Sequence, residues 1–236
     1  FGYYGVQDFD AAESHWRRAI ELGEGMPRPP IDVMSNTYQG YAGMLGFLGR
    51  HDRALELAER GLQFADRHLP PESPLRVNLL RSRGEALNAT GRAADAELVL
   101  REAIALQERS VGTQGVRLGS LYNGLAIALN NLSRYREAVV ALEHSASLEQ
   151  SSGRAPMEEA IGYSNLASVY ESAGDYPRAL SLFERALAAA ERSELDADAL
   201  ARRVIENNYA RCLGLAGRYA PAWERFEDLR RRALAL

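Results

Sequence analysis

The stretch that decides the fold is Asn165-Leu-Ala-Ser-Val-Tyr-Glu-Ser-Ala-Gly-Asp-Tyr-Pro-Arg-Ala-Leu-Ser-Leu-Phe-Glu-Arg-Ala-Leu187. Ala167 and Tyr170 stand three apart, and Tyr176, Ala179, Phe183 and Ala186 follow at steps of three, four and three. Such spacing lays each set along one face of a helix. Gly174 interrupts the two sets, and glycine suits the left-handed backbone that ends a helix and opens a tight turn. The segment therefore reads as helix, short turn, helix.

Working outward, Ala179 has counterparts at Ala12, Ala54, Ala96, Ala138 and Ala222, separated along the chain by 42, 42, 42, 41 and 43 residues. The surrounding columns keep their chemistry. Five residues before the alanine stand Gly49, Gly91, Ser133, Gly174 and Gly217, with Gln7 in the first copy. Three before it come Phe9, His51, Ala93, Tyr135, Tyr176 and Tyr219; four after it come Trp16, Ala58, Leu100, Leu142, Phe183 and Phe226. Seven after it lie Ala19, Gly61, Ala103, Ser145 and Ala186, with Leu229 breaking the column. Upstream, Ala42, Gly84, Ala126, Ala167 and Ala210 precede Leu45, Leu87, Leu129, Tyr170 and Leu213 by three residues. Small residues let helices approach, and large ones fill the space between neighbouring hairpins. One hairpin cannot bury both faces alone, so the units must stack.

This pattern resembles the tetratricopeptide repeat family: the quoted segment carries the family's small residue, tyrosine, Gly-Asp-Tyr turn, alanine, phenylalanine and second alanine in order. The resemblance covers essentially the whole chain. It departs in length, about 42 residues per unit against a usual 34, as in long tandem repeats similar to those of kinesin light chain and bacterial signalling proteins. It implies an all-α, right-handed α-solenoid of helix-turn-helix repeats. The expected organisation is a single superhelical domain over 1–236: a partial repeat at 1–30, then repeats at about 31–73, 74–114, 115–155, 156–195 and 196–236. Helices of about 15 to 20 residues are expected. Loops are expected at Met26–Pro30, Leu69–Pro74, Gly112–Gly115 and Gly153–Pro156, with a junction lacking Pro and Gly at Ser193–Asp198. Phe1 aligns to the middle of a first helix and Leu236 to the end of a second, so the chain reads as a fragment of a larger protein.

Composition narrows the function. All 28 basic residues are arginines, so lysine chemistry, including a Schiff base or a P-loop anchor, is excluded. A net charge of -4 argues against a nucleic-acid binder. Hydrophobic residues at 46% and charged residues at 25% are ordinary globular usage. No apolar run is long enough to span a membrane, and no signal-peptide pattern occurs within this stretch. The one cysteine, Cys212, excludes an intrachain disulfide and fits a reducing compartment. Arginine-only usage suggests a GC-rich bacterial genome.

No catalytic constellation emerges. His15, His51, His68 and His144 are not spaced as ligand pairs on one helix. Cys212 reads as a buried small hydrophobe. The glycines of Val111–Gly119 follow a helix rather than a strand, which is not a nucleotide loop. Carboxylates such as Glu184 beside Arg185 read as solvated ion-pair faces, and Arg230–Arg232 as a match to a helix macrodipole. An enzyme is not expected, nor any cofactor or metal.

In the resembling family, ligands lie along the concave wall, on the face of each first helix opposite its packing stripe. Here that face comprises Asn36, Gln39, Gly43 and Gly46, then Asn78, Arg81, Glu85 and Asn88, then Ser120, Asn123, Ile127 and Asn130. It continues with Ile161, Ser164, Ser168 and Glu171, then Val204, Asn207, Arg211 and Gly214, with Asn165 one helical step aside. Asparagine is a mediocre helix former, so its recurrence asks for a reason. Its amide both donates and accepts, which suits the main chain of an extended peptide. Gly43 and Gly46 would widen the groove, and Arg81 and Arg211 offer forks for acidic groups. The candidate peptide-binding residues are Asn36, Gln39, Asn78, Arg81, Asn88, Asn123, Asn130, Asn165, Asn207 and Arg211. The plainer alternative is that these amides are solvated or bridge neighbouring helices. A carboxylate clamp for acidic tails is disfavoured, since lysine is absent and Glu85 neighbours Arg81.

The expected function is a non-catalytic scaffold binding a protein or peptide, within a larger cytoplasmic bacterial regulatory or signalling protein. One alternative is a sensor domain for a small-molecule or peptide signal in a transcriptional regulator or kinase, with a cavity lined by Tyr4, Tyr38, Tyr41 and the groove asparagines. Another is self-association through the terminal repeats. No partner is expected in nucleic acid or membrane.

Overall fold

The computed structural model describes residues 9–111, 116–150, 155–193 and 199–234. Expectations placed on Phe1, Tyr4 and Gln7, on the loops at 112–115 and 151–154, on 194–198 and on Leu236 lie outside the described residues.

Every described element is an α-helix: α1 (Phe9–Glu24), α2 (Ile31–Phe47), α3 (His51–His68), α4 (Leu75–Ala89), α5 (Ala93–Val111), α6 (Val116–Asn131), α7 (Tyr135–Gln150), α8 (Pro156–Ser172), α9 (Tyr176–Glu191), α10 (Ala199–Leu215) and α11 (Tyr219–Leu234). Their lengths run from 15 to 19 residues, as the periodicity predicts. The first helices of the hairpins are α2, α4, α6, α8 and α10; the odd-numbered helices are the second ones.

Each tight turn has one geometry, and it explains the five-residue offset between the glycine column and the alanine column. Gly49, Gly91, Gly174 and Gly217 take φ of 71° to 79°, and Ser133 takes 60°. The residue after each donates its backbone N–H to the carbonyl five back (Arg50 to Leu45, Arg92 to Leu87, Arg134 to Leu129, Asp175 to Tyr170, Arg218 to Leu213) at 2.8–2.9 Å. The left-handed residue itself donates to the carbonyl three back at 2.9–3.2 Å. These are the two bonds of a Schellman cap. The residue that ends this cap then begins the next helix: its carbonyl accepts from Ala54, Ala96, Ala138, Ala179 or Ala222 four residues on. One residue thus closes one helix and opens the next.

The chain divides by contacts into two compact units, 1–114 and 115–236. In the first, α2 pairs with α3 and α4 with α5, α3 packs on α4, and α4 lies beside α2. In the second, the hairpins are α6–α7, α8–α9 and α10–α11; α7 packs on α8, α9 on α10, and α8 touches both α6 and α10. The anchor alanines all face inward, with Ala96, Ala138 and Ala179 fully buried.

Small residues stand where the packing demands them. A Cβ on Gly84 would sit 2.6 Å from Leu100 Cγ, and one on Gly61 would sit 2.9 Å from Leu79 Cδ2. Ser145, in the same column as Gly61, is 1% exposed and donates to the Gly119 carbonyl at 2.9 Å. That bond cancels the cost of burying the hydroxyl.

Candidate functional site

The packing stripe of each first helix leaves the opposite face available. On α2, Met34, Tyr38, Tyr41 and Leu45 turn inward, while Asn36 and Gly43 are exposed and Gln39 is half-buried. On α4, Val77, Leu80, Gly84 and Leu87 are buried, and Asn78, Arg81 and Asn88 are half-buried. In the second unit, Asn123, Asn130 and Asn165 are half-buried, while Asn207 and Arg211 are exposed. Ser164 and Glu171, expected on the same open face, are instead buried at 6% and 7% exposure.

The amides divide into two groups. Asn130 Nδ2 donates to Ser172 Oγ at 3.2 Å, bridging α6 to α8, as the plainer reading expects. The side chains of Asn36, Gln39, Asn78, Asn123, Asn165 and Asn207 make no hydrogen bond to another described residue.

The arginine forks are not free. Arg81 pairs with Glu85 on the next turn of α4, and Arg211 Nη2 lies 3.0 Å from Glu171 Oε1 on the neighbouring helix. Burial pushes the Glu171 carboxyl above the usual carboxylate range, and Arg211 pulls it back. Sequence places both Arg211 and Glu171 on the face but not their pairing, which spans one repeat. A charge search at the repeat spacing is the signal that finds it.

Two slots open between successive first helices at the same repeat register. In the first unit a cavity of about 290 Å³ lies between α2 and α4, lined by Ala42, Gly43, Gly46, Phe47, His51, Ala54, Ser82, Glu85, Ala86 and Ala89. In the second unit a cavity of about 190 Å³ lies between α6 and α8, where Asn130, Asn165 and Ser168 meet the apolar Ala126, Ile127, Leu142 and Val169. Phe47, Ser82 and the alanines escape the sequence reading; Gly43 and Gly46 are its clue.

Tyr38 and Tyr41 do not line a cavity. They are 0% and 4% exposed, and their hydroxyls donate to Glu24 and Glu13 of α1. Burial, reinforced by these carboxylates, raises both phenols. Arg53 and Arg50 also bind Glu13, and Arg60 binds Glu24. The arginine bonds hold both carboxyls below their ordinary range. A ring with a polar tip suits such a buried junction.

Other expectations need adjusting. Glu184 and Arg185 are not an ion pair, since neighbours on a helix point apart. Glu184 accepts from the Tyr209 hydroxyl at 3.1 Å. Arg185 bonds the Tyr163 hydroxyl at 2.7 Å and covers its ring at 4.2 Å. Arg231 reaches a carbonyl near the end of α11, consistent with the macrodipole match, whereas Arg230 pairs with Glu227 and Arg232 with Glu206 and Asp228. Cys212 is fully buried, and burial with the negative charge of Glu171 pushes its thiol up to about 12, so the nucleophilic thiolate is suppressed. His144 stacks on Tyr122, and the His68 ring meets Phe64 tilted by 40°. Among the described residues no group of three or more His, Cys, Asp or Glu could hold a metal, and no helix is long and apolar enough to cross a membrane.

Residues 158–235 match the tetratricopeptide repeat family profile, over the hairpins whose caps and buried columns are described above. That stretch is built of tetratricopeptide repeats. The fold class, an all-α tetratricopeptide-repeat solenoid, is shared with solved structures. The nearly identical TPR-like repeats of a kinesin-light-chain protein from Podospora anserina align at TM-score 0.63 and 21% identity, over 87% of this chain and 96% of that one. A thermophilic TPR protein of Thermus thermophilus aligns at 0.61 and 20%, over 89% and 93%. Rap protein, solved in complex with Competence and Sporulation Factor, aligns at 0.67 and 18%, over 97% of this chain and 66% of that one. No curated protein sequence matches the chain. The TPR fold generally mediates protein–protein interaction.

Proposed function

We propose that this TPR chain is a non-catalytic module that binds an extended peptide, or an extended segment of a protein, along the first-helix faces of its units. The proposed site comprises Asn36, Gln39, Asn78, Arg81 and Asn88 in the first unit, and Asn123, Asn130, Asn165, Asn207 and Arg211 in the second. One observation carries this reading: six amides on these faces have no partner within the described chain, although asparagine weakens a helix. Main-chain amides of a peptide would use both halves of each group. The fold likeness to Rap protein, solved in complex with Competence and Sporulation Factor, supports a bound ligand of that kind, and we place the chain in a bacterial cytoplasmic regulatory protein. Arginine-only usage supports the bacterial setting.

The test begins with a random dodecapeptide phage library panned against the chain, followed by synthesis of the recovered peptides. Replacing Asn123, Asn130 and Asn165 together by alanine, with folding checked by circular dichroism, is expected to weaken their binding at least tenfold, at roughly 1 kcal/mol or less per lost hydrogen bond. Unchanged affinity would refute the assignment for the second unit.

Self-association is a second reading, favoured by α11. Tyr219 is 75% exposed, Trp223 67% and Phe226 39%, whereas Leu180 and Phe183, which hold the places of Trp223 and Phe226 on α9, are buried beside α10. Sedimentation at several concentrations, with Trp223→Glu as the control, separates a dimer from a monomer.

A further inference from the structure

Two kinds of glycine occur inside these helices. Gly40, Gly61 and Gly84 are demanded by packing: a Cβ would lie 2.7 Å from Trp16, 2.9 Å from Leu79 and 2.6 Å from Leu100. Gly43 and Gly46 of α2 are not, for a Cβ at either meets nothing within 4 Å. Neither takes positive φ, so no turn requires them, and each weakens the helix relative to alanine. Both border the slot between α2 and α4.

The slot has the chemistry of a side-chain receptacle. Ala42, Ala54, Ala86 and Ala89 give it small apolar walls, and Phe47, 56% exposed, stands at its edge. Ser82 also lines it; the residue is 6% exposed and makes no hydrogen bond to any other described residue. Its hydroxyl is a donor and acceptor placed at the slot wall. The one carboxylate at the slot, Glu85, is neutralised by Arg81, so the site carries no unmatched fixed charge.

We infer that the α2–α4 slot receives one uncharged apolar side chain of the bound peptide, with the Ser82 hydroxyl bonding the peptide's adjoining main chain. The inference rests on the peptide-binding reading and gives the ligand's class: a neutral, apolar segment rather than an acidic tail. The paired arginines leave no strong attraction for carboxylates, whereas the apolar walls reward desolvation. The vacancy above Gly43 and Gly46 is the space that side chain fills.

The experiment uses the peptides recovered from the dodecapeptide library on the whole chain, with Gly43→Leu and Gly46→Leu as variants. Each leucine enters open space, so thermal stability is expected to hold or rise while the slot is filled. Peptide affinity is expected to fall by about 10-fold or more, the worth of burying one apolar side chain. Replacing the peptide's apolar residue by serine should match that loss, and added salt should leave affinity nearly unchanged. Ser82→Ala should weaken binding by a smaller factor. Recovery of no binding peptide overturns the peptide-binding reading itself. Binders that ignore both leucine variants, or that carry only charged and polar side chains, overturn the slot assignment and leave that reading standing.

Discussion

Glu171 of α8 holds Arg211 of α10 at 3.0 Å, with the carboxylate side chain 6% exposed and the guanidinium 52% exposed. The pair is lopsided: the acid bears the desolvation cost while its partner keeps much of its water. Such pairs seldom repay burial. Burial raises the Glu171 pKa above its unfolded value. For an acid shifted upward, the charged form costs stability at neutral pH, and that cost is relieved as pH falls through the folded pKa. Glu171→Gln is therefore expected to leave stability at pH 7 within about 1 kcal/mol of wild type or slightly above it. It should also remove the gain seen on mild acidification. Urea midpoints between neutral and mildly acidic pH check both. A large loss at pH 7 would mean that the pair stabilises the chain.

Glycines in one unit should respond to alanine in opposite directions. At Gly84 the new methyl would press on Leu100, and overpacking of this kind costs roughly 1–3 kcal/mol. At Gly43 the methyl meets nothing, and exchanging helical glycine for alanine gains up to about 1 kcal/mol. Thermal unfolding of Gly84→Ala and Gly43→Ala should shift in opposite directions; a common direction would contradict the packing described.

Ser133 is the one described non-glycine residue with positive φ, in a column otherwise glycine at every described turn. Ser133 and Arg134 donate the same two capping bonds as in the glycine turns, so the strain lies in the residue and not in a different turn. Ser133→Gly is expected to stabilise by about 0.5–1 kcal/mol, and Gly174→Ala to destabilise by about 1 kcal/mol or more. Chemical denaturation reads both.

The fold was legible because its two determinants are local. The helical period shows in Ala167, Tyr170, Ala179 and Phe183, and the left-handed turn in the Gly174 column; each repeats until coincidence is excluded. The face was legible in outline, since Asn36 and Asn207 do stand exposed. What sequence withheld was pairing between helices. Arg211 finds Glu171, Asn130 finds Ser172, and Tyr38 and Tyr41 find Glu24 and Glu13. Each pair joins different helices, and side-chain reach decides it only once the helices have docked. The slot escaped for a related reason: its alanines look like packing residues, and only the space above Gly43 and Gly46 sets them apart.

The attachment of α1 should fail first in acid. Glu13 accepts from Tyr41, Arg50 and Arg53, and Glu24 from Tyr38 and Arg60. Both carboxyls are held below their ordinary pKa, chiefly by the arginine hydrogen bonds. A lowered acid contributes stability that is fully present above its unfolded pKa, about 4.3 for Glu. That stability is lost as pH falls through the lower folded value. Trp16 of α1 packs where a Cβ on Gly40 would be, so its emission reports the docking. In a Trp223→Phe background, that emission is expected to shift to the red below about pH 4 while far-ultraviolet circular dichroism still reports the other helices. Glu13→Gln with Glu24→Gln should produce the shift at neutral pH and abolish its acid dependence. Loss of emission and helicity together, at one midpoint in both proteins, would show that these carboxylates do not govern α1.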